Sequence, residues 1–131
     1  MSHPVIPLPL TKIAVAVDES ACARHALRWA VAVGAATGAT VEAIHVYPRD
    51  LAWIDQDQSP KELEYSRRSA TAAGRRLLTQ VLGVELDDPS SVEMTVLLGD
   101  AAKRLTEHAA GADLLVVGSR GHGALAAAVL G

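Results

Sequence analysis

The chain has 131 residues, half of them apolar and 21% charged, and its 12 basic and 15 acidic side chains give a net charge of −3. Such a composition describes one globular domain and argues against the basic stripe that a nucleic-acid groove needs; two Trp, two Tyr and no Phe argue against a stacking platform for single strands. Cys22 is the only cysteine, which excludes an intrachain disulfide and a cysteine-cluster zinc site, and no apolar run approaches the ~18 residues of a membrane span.

Residues 1–10, MSHPVIPLPL, carry Pro4, Pro7 and Pro9 and read as a stiff extended leader. They lack the basic start and long apolar stretch of a secretory signal, so a reducing, cytoplasmic setting is expected. Lys12–Val17 (KIAVAV) is a short apolar run, expected as a first strand covered on both faces. Ser20–Thr37 places Ala23, Leu27, Ala30 and Gly34 at helical spacing, with Gly38 as a C-terminal cap. Thr40–Val46 (TVEAIHV) is the second expected strand. A long connection, Tyr47–Gln58, follows, and Trp53 within it could cover a ligand or pack the loop onto the next helix. Ser59-Pro60-Lys61-Glu62 has the form of a capping box. The helix it starts should bury Leu63, Ala70, Leu77 and Val81 and close at Gly83. After an acidic turn, Ser91–Leu98 is a third strand with Val92, Met94, Val96 and Leu98 on one side. Asp100 can cap a third helix, Ala101–Ala110, stopped by Gly111, and Asp113–Val117 (DLLVV) is a fourth strand. Strand–helix alternation predicts a single α/β domain over 1–131, an open parallel sheet with right-handed crossovers and helices on both faces.

In such sheets ligands sit beyond the C-terminal strand ends, where the strand order reverses. The residues to weigh are therefore Asp18-Glu19-Ser20, Tyr47, Gly99-Asp100, and Gly118-Ser119-Arg120-Gly121-His122-Gly123. The last segment has three glycines in six residues, which lets its backbone approach a ligand and aim successive N–H groups at an anion. A neutral loop of this kind would let an acidic domain hold a polyphosphate. Gly131 follows Gly121 after nine intervening residues.

The spacing Gly118-x-x-Gly121-(nine residues)-Gly131 resembles the nucleotide-binding signature of the universal stress protein family. IAVAVDES, VEAIHVY and ADLLVVGSRGHG resemble that family's opening strand and acidic loop, its second strand, and its most recognisable segment. The resemblance implies a three-layer Rossmann-like fold with strand order 3-2-1-4, and ATP held at the break between strands one and four. It would place Ala16 and Val17 against the adenine near the backbone of Val46, and Asp18 beside the ribose. Gly118 would admit the ribose and α-phosphate, with Ser119 and Arg120 adding a hydroxyl and a cation. Gly121, His122 and Gly123 would wrap the phosphates, and Gly131 would complete the cradle. The family's hydroxyl residue after that glycine, its further helix and its fifth strand are missing, so the DLLVV strand is expected to show a bare edge. That edge invites another chain or further residues of a longer natural protein, and a complete chain is expected to form a homodimer.

Each residue also has a plainer reading. Asp18 could simply cap the first helix, although Ser20 is the better N-cap. Asp18 and Glu19 could meet a nucleotide-bound Mg²⁺, but two adjacent carboxylates are a weak signal. His25, His45 and His108 show no ligand spacing and read as surface or packing residues, and Cys22 reads as a packing residue. No Walker-type loop or nucleophile elbow is present, so a regulatory protein is expected, with slow ATP hydrolysis left open. Two alternatives remain. One is a phosphoacceptor receiver-like domain using Asp18, Glu19, Asp100 and Ser119; the other is a nucleotide-free stress protein acting by dimerisation.

Overall fold

The computed structural model describes residues 9–48 and 59–119, together with the backbone of 129–130. The elements run β1 (Lys12–Ala16), α1 (Ala21–Thr37), β2 (Thr40–Tyr47), α2 (Pro60–Glu85), β3 (Val92–Leu98), α3 (Ala101–His108), β4 (Leu114–Val116) and β5 (Val129–Leu130). Their order across the sheet is β3-β2-β1-β4-β5. The first four strands are parallel, with Ile13 beside both Val41 and Leu114, and Val41 beside Val92. A receiver-like sheet would have order 2-1-3-4-5, with β1 beside β3; here β4 takes that place, so the alternative fails on topology.

The chain steps from β1 to β2 to β3 in one direction, then jumps back over β1 to β4. Right-handed crossovers therefore put α1 and α2 on one face and α3 on the other. The side chains obey this division. Ile13, Val15, Val41 and Val92 point towards Leu27 of α1 and Leu78 and Leu82 of α2. Ala14, Ile44 and Leu115 point towards Leu105 and Ala109 on the other face. Ile13, Val15, Leu27, Ile44 and Leu78 are completely buried.

Local chemistry fixes most boundaries. Ser20 Oγ accepts from the Ala23 N–H (3.1 Å), and Gly38, at φ 79°, ends α1 in the left-handed conformation that glycine allows. The capping box at α2 is formed in both directions: Ser59 Oγ accepts from the Glu62 N–H, and Glu62 Oε2 accepts from the Ser59 N–H. Two expectations for α2 are corrected. It does not close at Gly83 but runs to Glu85, whose carboxylate is held by Arg28 at 2.6 Å and Arg24 at 4.0 Å from α1. Its buried positions are Gly74, Leu78, Val81 and Leu82, while Leu63, Ala70 and Leu77 are only half-buried. The bare edge expected for β4 is also corrected: Leu114 and Leu115 pair antiparallel with Leu130 and Val129.

Two carboxylates tie the sheet's N-terminal edge. Asp113 accepts from the Thr11 N–H and hydroxyl, both at 2.8 Å, and from the Lys12 N–H, and these bonds hold its carboxyl below the ordinary range. Glu42, almost buried on the α3 face, accepts from the Thr95 hydroxyl at 2.6 Å and pairs with His108 Nε2 at 2.9 Å and Lys12 Nζ at 3.5 Å.

Candidate functional site

At the C-terminal end of the sheet the chain leaves β1 in a short, tightly tied segment. The Val17 N–H donates to the Ile44 carbonyl (2.8 Å), and the Val17 carbonyl accepts from Nδ1 of the buried His45 (2.8 Å). Because a carbonyl only accepts, Nδ1 carries the proton in this arrangement. Asp18 then turns the chain, its Oδ1 accepting from the Ser20 N–H at 2.7 Å, and α1 begins. Across the break, Gly118, two residues past β4, lies close against this helix start. A Cβ on Gly118 would lie 2.8 Å from the Cys22 carbonyl carbon and 2.9 Å from the Ala23 nitrogen.

The opposite wall comes from β3 and α3. Gly99 adopts φ 126°, and its N–H donates to the Tyr47 carbonyl (3.1 Å). Asp100 Oδ2 accepts from the Lys103 N–H at 2.9 Å and starts α3. Between these walls lies a cavity of about 650 Å³. Ile44, Val46 and Leu105 form its apolar base, Ala16–Glu19 and Gly118 one side, and Gly99–Ala102 the other. The size falls within the range of small-molecule sites.

Five residues expected from sequence therefore line one cavity: Ala16, Val17, Asp18, Val46 and Gly118. Ser119 does not; it is exposed, with its hydroxyl 4.0 Å from Cys22 Sγ. Arg120, Gly121, His122, Gly123, Gly131 and Trp53 lie outside the described residues. The structure adds His45, Pro48, Leu77 and Leu105 to the lining. His45, read from sequence as a surface or packing residue, is a buried one whose hydrogen bond to a carbonyl 28 positions away the sequence does not show. Tyr47, Gly99 and Asp100, which the sequence places directly after strands, all line the cavity.

Asp100 acts as a helix cap. Asp100→Ala should lower stability by about 1 kcal/mol, read as a shift in urea midpoint. Among the described residues no group of three His, Cys, Asp or Glu side chains is placed to hold a metal ion, and no helix is long and apolar enough to cross a membrane.

The family model of the universal stress proteins matches residues 9–131. The chain belongs to the universal stress protein family. Solved structures agree on the fold. Universal stress protein UspA from Lactobacillus plantarum is 21% identical, with a TM-score of 0.64 over 90% of this chain and 85% of that one. A universal stress protein in complex with cAMP is 22% identical, with a TM-score of 0.58 over 89% of this chain and 82% of its own. A family protein from Burkholderia pseudomallei is 26% identical, with a TM-score of 0.58 over 83% and 81%. No curated protein matches the chain.

Proposed function

We propose that the cavity at the break between β1 and β4 binds an adenine nucleotide, ATP in particular, and that the protein acts through nucleotide-dependent conformation or partner choice rather than turnover. The observation that carries this reading is the convergence of Ala16, Val17, Asp18, Val46 and Gly118 on one cavity of about 650 Å³. Apolar strand ends in the lining suit a flat base, and the carboxylate of Asp18 in the same lining suits the acceptor role that ribose hydroxyls need. A structural neighbour in complex with cAMP adds support, since cAMP is itself an adenine nucleotide.

Three polar side chains of the lining also build its walls. His45 is tied to the Val17 carbonyl, Asp100 caps α3, and Asp18 holds the turn into α1.

Mass spectrometry of small molecules released by denaturing freshly purified protein, followed by calorimetry with ATP, ADP and AMP, tests the proposal. Asp18→Asn keeps an oxygen for the Ser20 N–H but removes the charge. It should weaken ATP binding by about tenfold or more, the effect of losing a hydrogen bond to a charged group. Wild-type protein that neither releases nor binds adenine nucleotides would sink the proposal; unchanged affinity in Asp18→Asn would remove Asp18 from it.

A further inference from the structure

On the side of the sheet away from β1, a second, open groove of about 1290 Å³ runs along the C-terminal half of β3. We propose that it docks an acidic, extended polypeptide segment from a partner protein, added as a further strand on β3. The proposal is independent of the nucleotide reading.

Three observations carry it. First, β3 ends the sheet on this side, so alternate N–H and C=O groups face outward with no strand beyond them among the described residues. Second, the two helices that flank this edge are basic where they overhang it. Arg67, Arg68 and Arg75 line the groove from α2, and Lys103 and Arg104 line it from α3. Glu64 pairs with Arg68 and Glu107 with Arg104, while Asp100 caps α3. Arg67, Arg75 and Lys103 are exposed and make no ion pair among the described residues. A protein of net charge −3 thus gathers five cations against three carboxylates along one strand edge. Third, β3 itself differs between its halves. Exposed Glu93 stands near its start, whereas Val96, Leu97 and Leu98 at the groove floor carry no charge.

The charge decides the occupant. A charge on an edge strand normally discourages pairing; here the floor is uncharged and the cations stand on both walls. A second copy docked edge to edge would oppose its own arginines, so self-pairing is repelled. An added strand points alternate side chains to opposite faces, so acids on both faces of the incoming segment would meet cations from α2 on one side and α3 on the other. Backbone pairing would supply register, and charge would supply selectivity. The groove shares Pro48, Gly99 and Asp100 with the first cavity, so an occupant of one touches the wall of the other.

The test uses a capped peptide, Glu-Glu-Val-Glu-Glu-Val-Glu-Glu, labelled for fluorescence anisotropy. It should bind the whole protein at low salt and weaken as salt rises. The same peptide with Lys in place of Glu, and a copy N-methylated at alternate amides, should each bind about tenfold more weakly or worse. The doubly substituted Arg67→Glu, Arg75→Glu protein should lose the acidic peptide; both side chains are exposed, and an unchanged thermal midpoint shows that folding is intact. On adding peptide, amides of Val92–Leu98 should gain hydrogen-exchange protection. Absence of acidic-peptide binding, equal binding by the N-methylated copy, retained binding by the double variant, or preference for oligouridylate over the peptide would each overturn the proposal.

Discussion

Gly118→Ala is expected to lower the unfolding free energy by about 1–3 kcal/mol, the usual range for forcing extra volume into a packed site. For a chain of this length that corresponds to roughly 4–10 °C in Tm. The cause lies in what the added methyl meets: the Cys22 carbonyl carbon at 2.8 Å and the Ala23 nitrogen at 2.9 Å, both backbone atoms in the first turn of α1. That turn is already fixed by the Ser20 cap and the Asp18 turn, so it cannot retreat without breaking them. Gly74 gives a graded comparison. A methyl there meets both methyls of Val96, Cγ1 at 2.6 Å and Cγ2 at 3.1 Å, so this β-branched side chain must shift, but alanine's gain over glycine inside a helix offsets part of the cost and Gly74→Ala should be milder. Gly83 gives the opposite sign. It lies inside α2 with nothing within 4 Å of an added Cβ, and alanine there should stabilise by about 0.5–1 kcal/mol. Urea melts of the three variants check the order, and a Gly118→Ala protein as stable as wild type would show that the helix start yields.

This contact changes what a binding experiment at Gly118 can mean. The glycine was expected to admit a ribose and phosphate, yet its missing side chain is also demanded by α1. Weakened nucleotide binding in Gly118→Ala would follow from a displaced wall as readily as from a blocked ligand. Asp18→Asn is the cleaner probe because it keeps the turn's hydrogen-bond acceptor.

The strands and helix faces were legible because they are written in short periods. KIAVAV reads as a strand buried on both faces, and Ala23, Leu27, Ala30 and Gly34 mark one side of α1; all four of these α1 residues are buried. Ser20, Ser59 and Asp100 announce helix starts within four residues, and each accepts the hydrogen bond expected of it. The strand order is not periodic information; it came with the family resemblance. Gly83 misled because the continuation of α2 rests on Glu85 meeting Arg24 and Arg28, a contact between two helices. The cavity was half legible. Residues after strands could be named, but His45 could not, since its partner is set by the register of β1 and β2. His108, read as a surface or packing residue, bonds Glu42, 66 positions away.

Glu42→Gln tests that pairing by its pH dependence. Glu42 is almost buried, and burial, the largest single influence, would raise its carboxyl. The hydrogen bonds from Thr95 and His108, with the charges of His108 and Lys12, together outweigh burial and hold the carboxyl below its ordinary value of 4.5. A carboxyl whose folded-state value lies below the unfolded one stabilises the fold fully above the unfolded value, and that stability is lost as pH falls through the folded one. Glutamine has the same shape but no charge, so no cavity complicates the comparison. Near neutrality the variant should be less stable by about 1.5–3 kcal/mol, the magnitude of a hydrogen bond to a charged group. The difference should begin to shrink near 4.5, where the unfolded carboxyl titrates, and approach zero only below the lowered folded-state value, where the wild-type carboxyl is neutral as well. Urea melts of the two proteins from neutral to acid pH measure the gap. A gap that stays constant, or widens towards acid, would mean that the contact between β2 and α3 does not depend on the Glu42 charge.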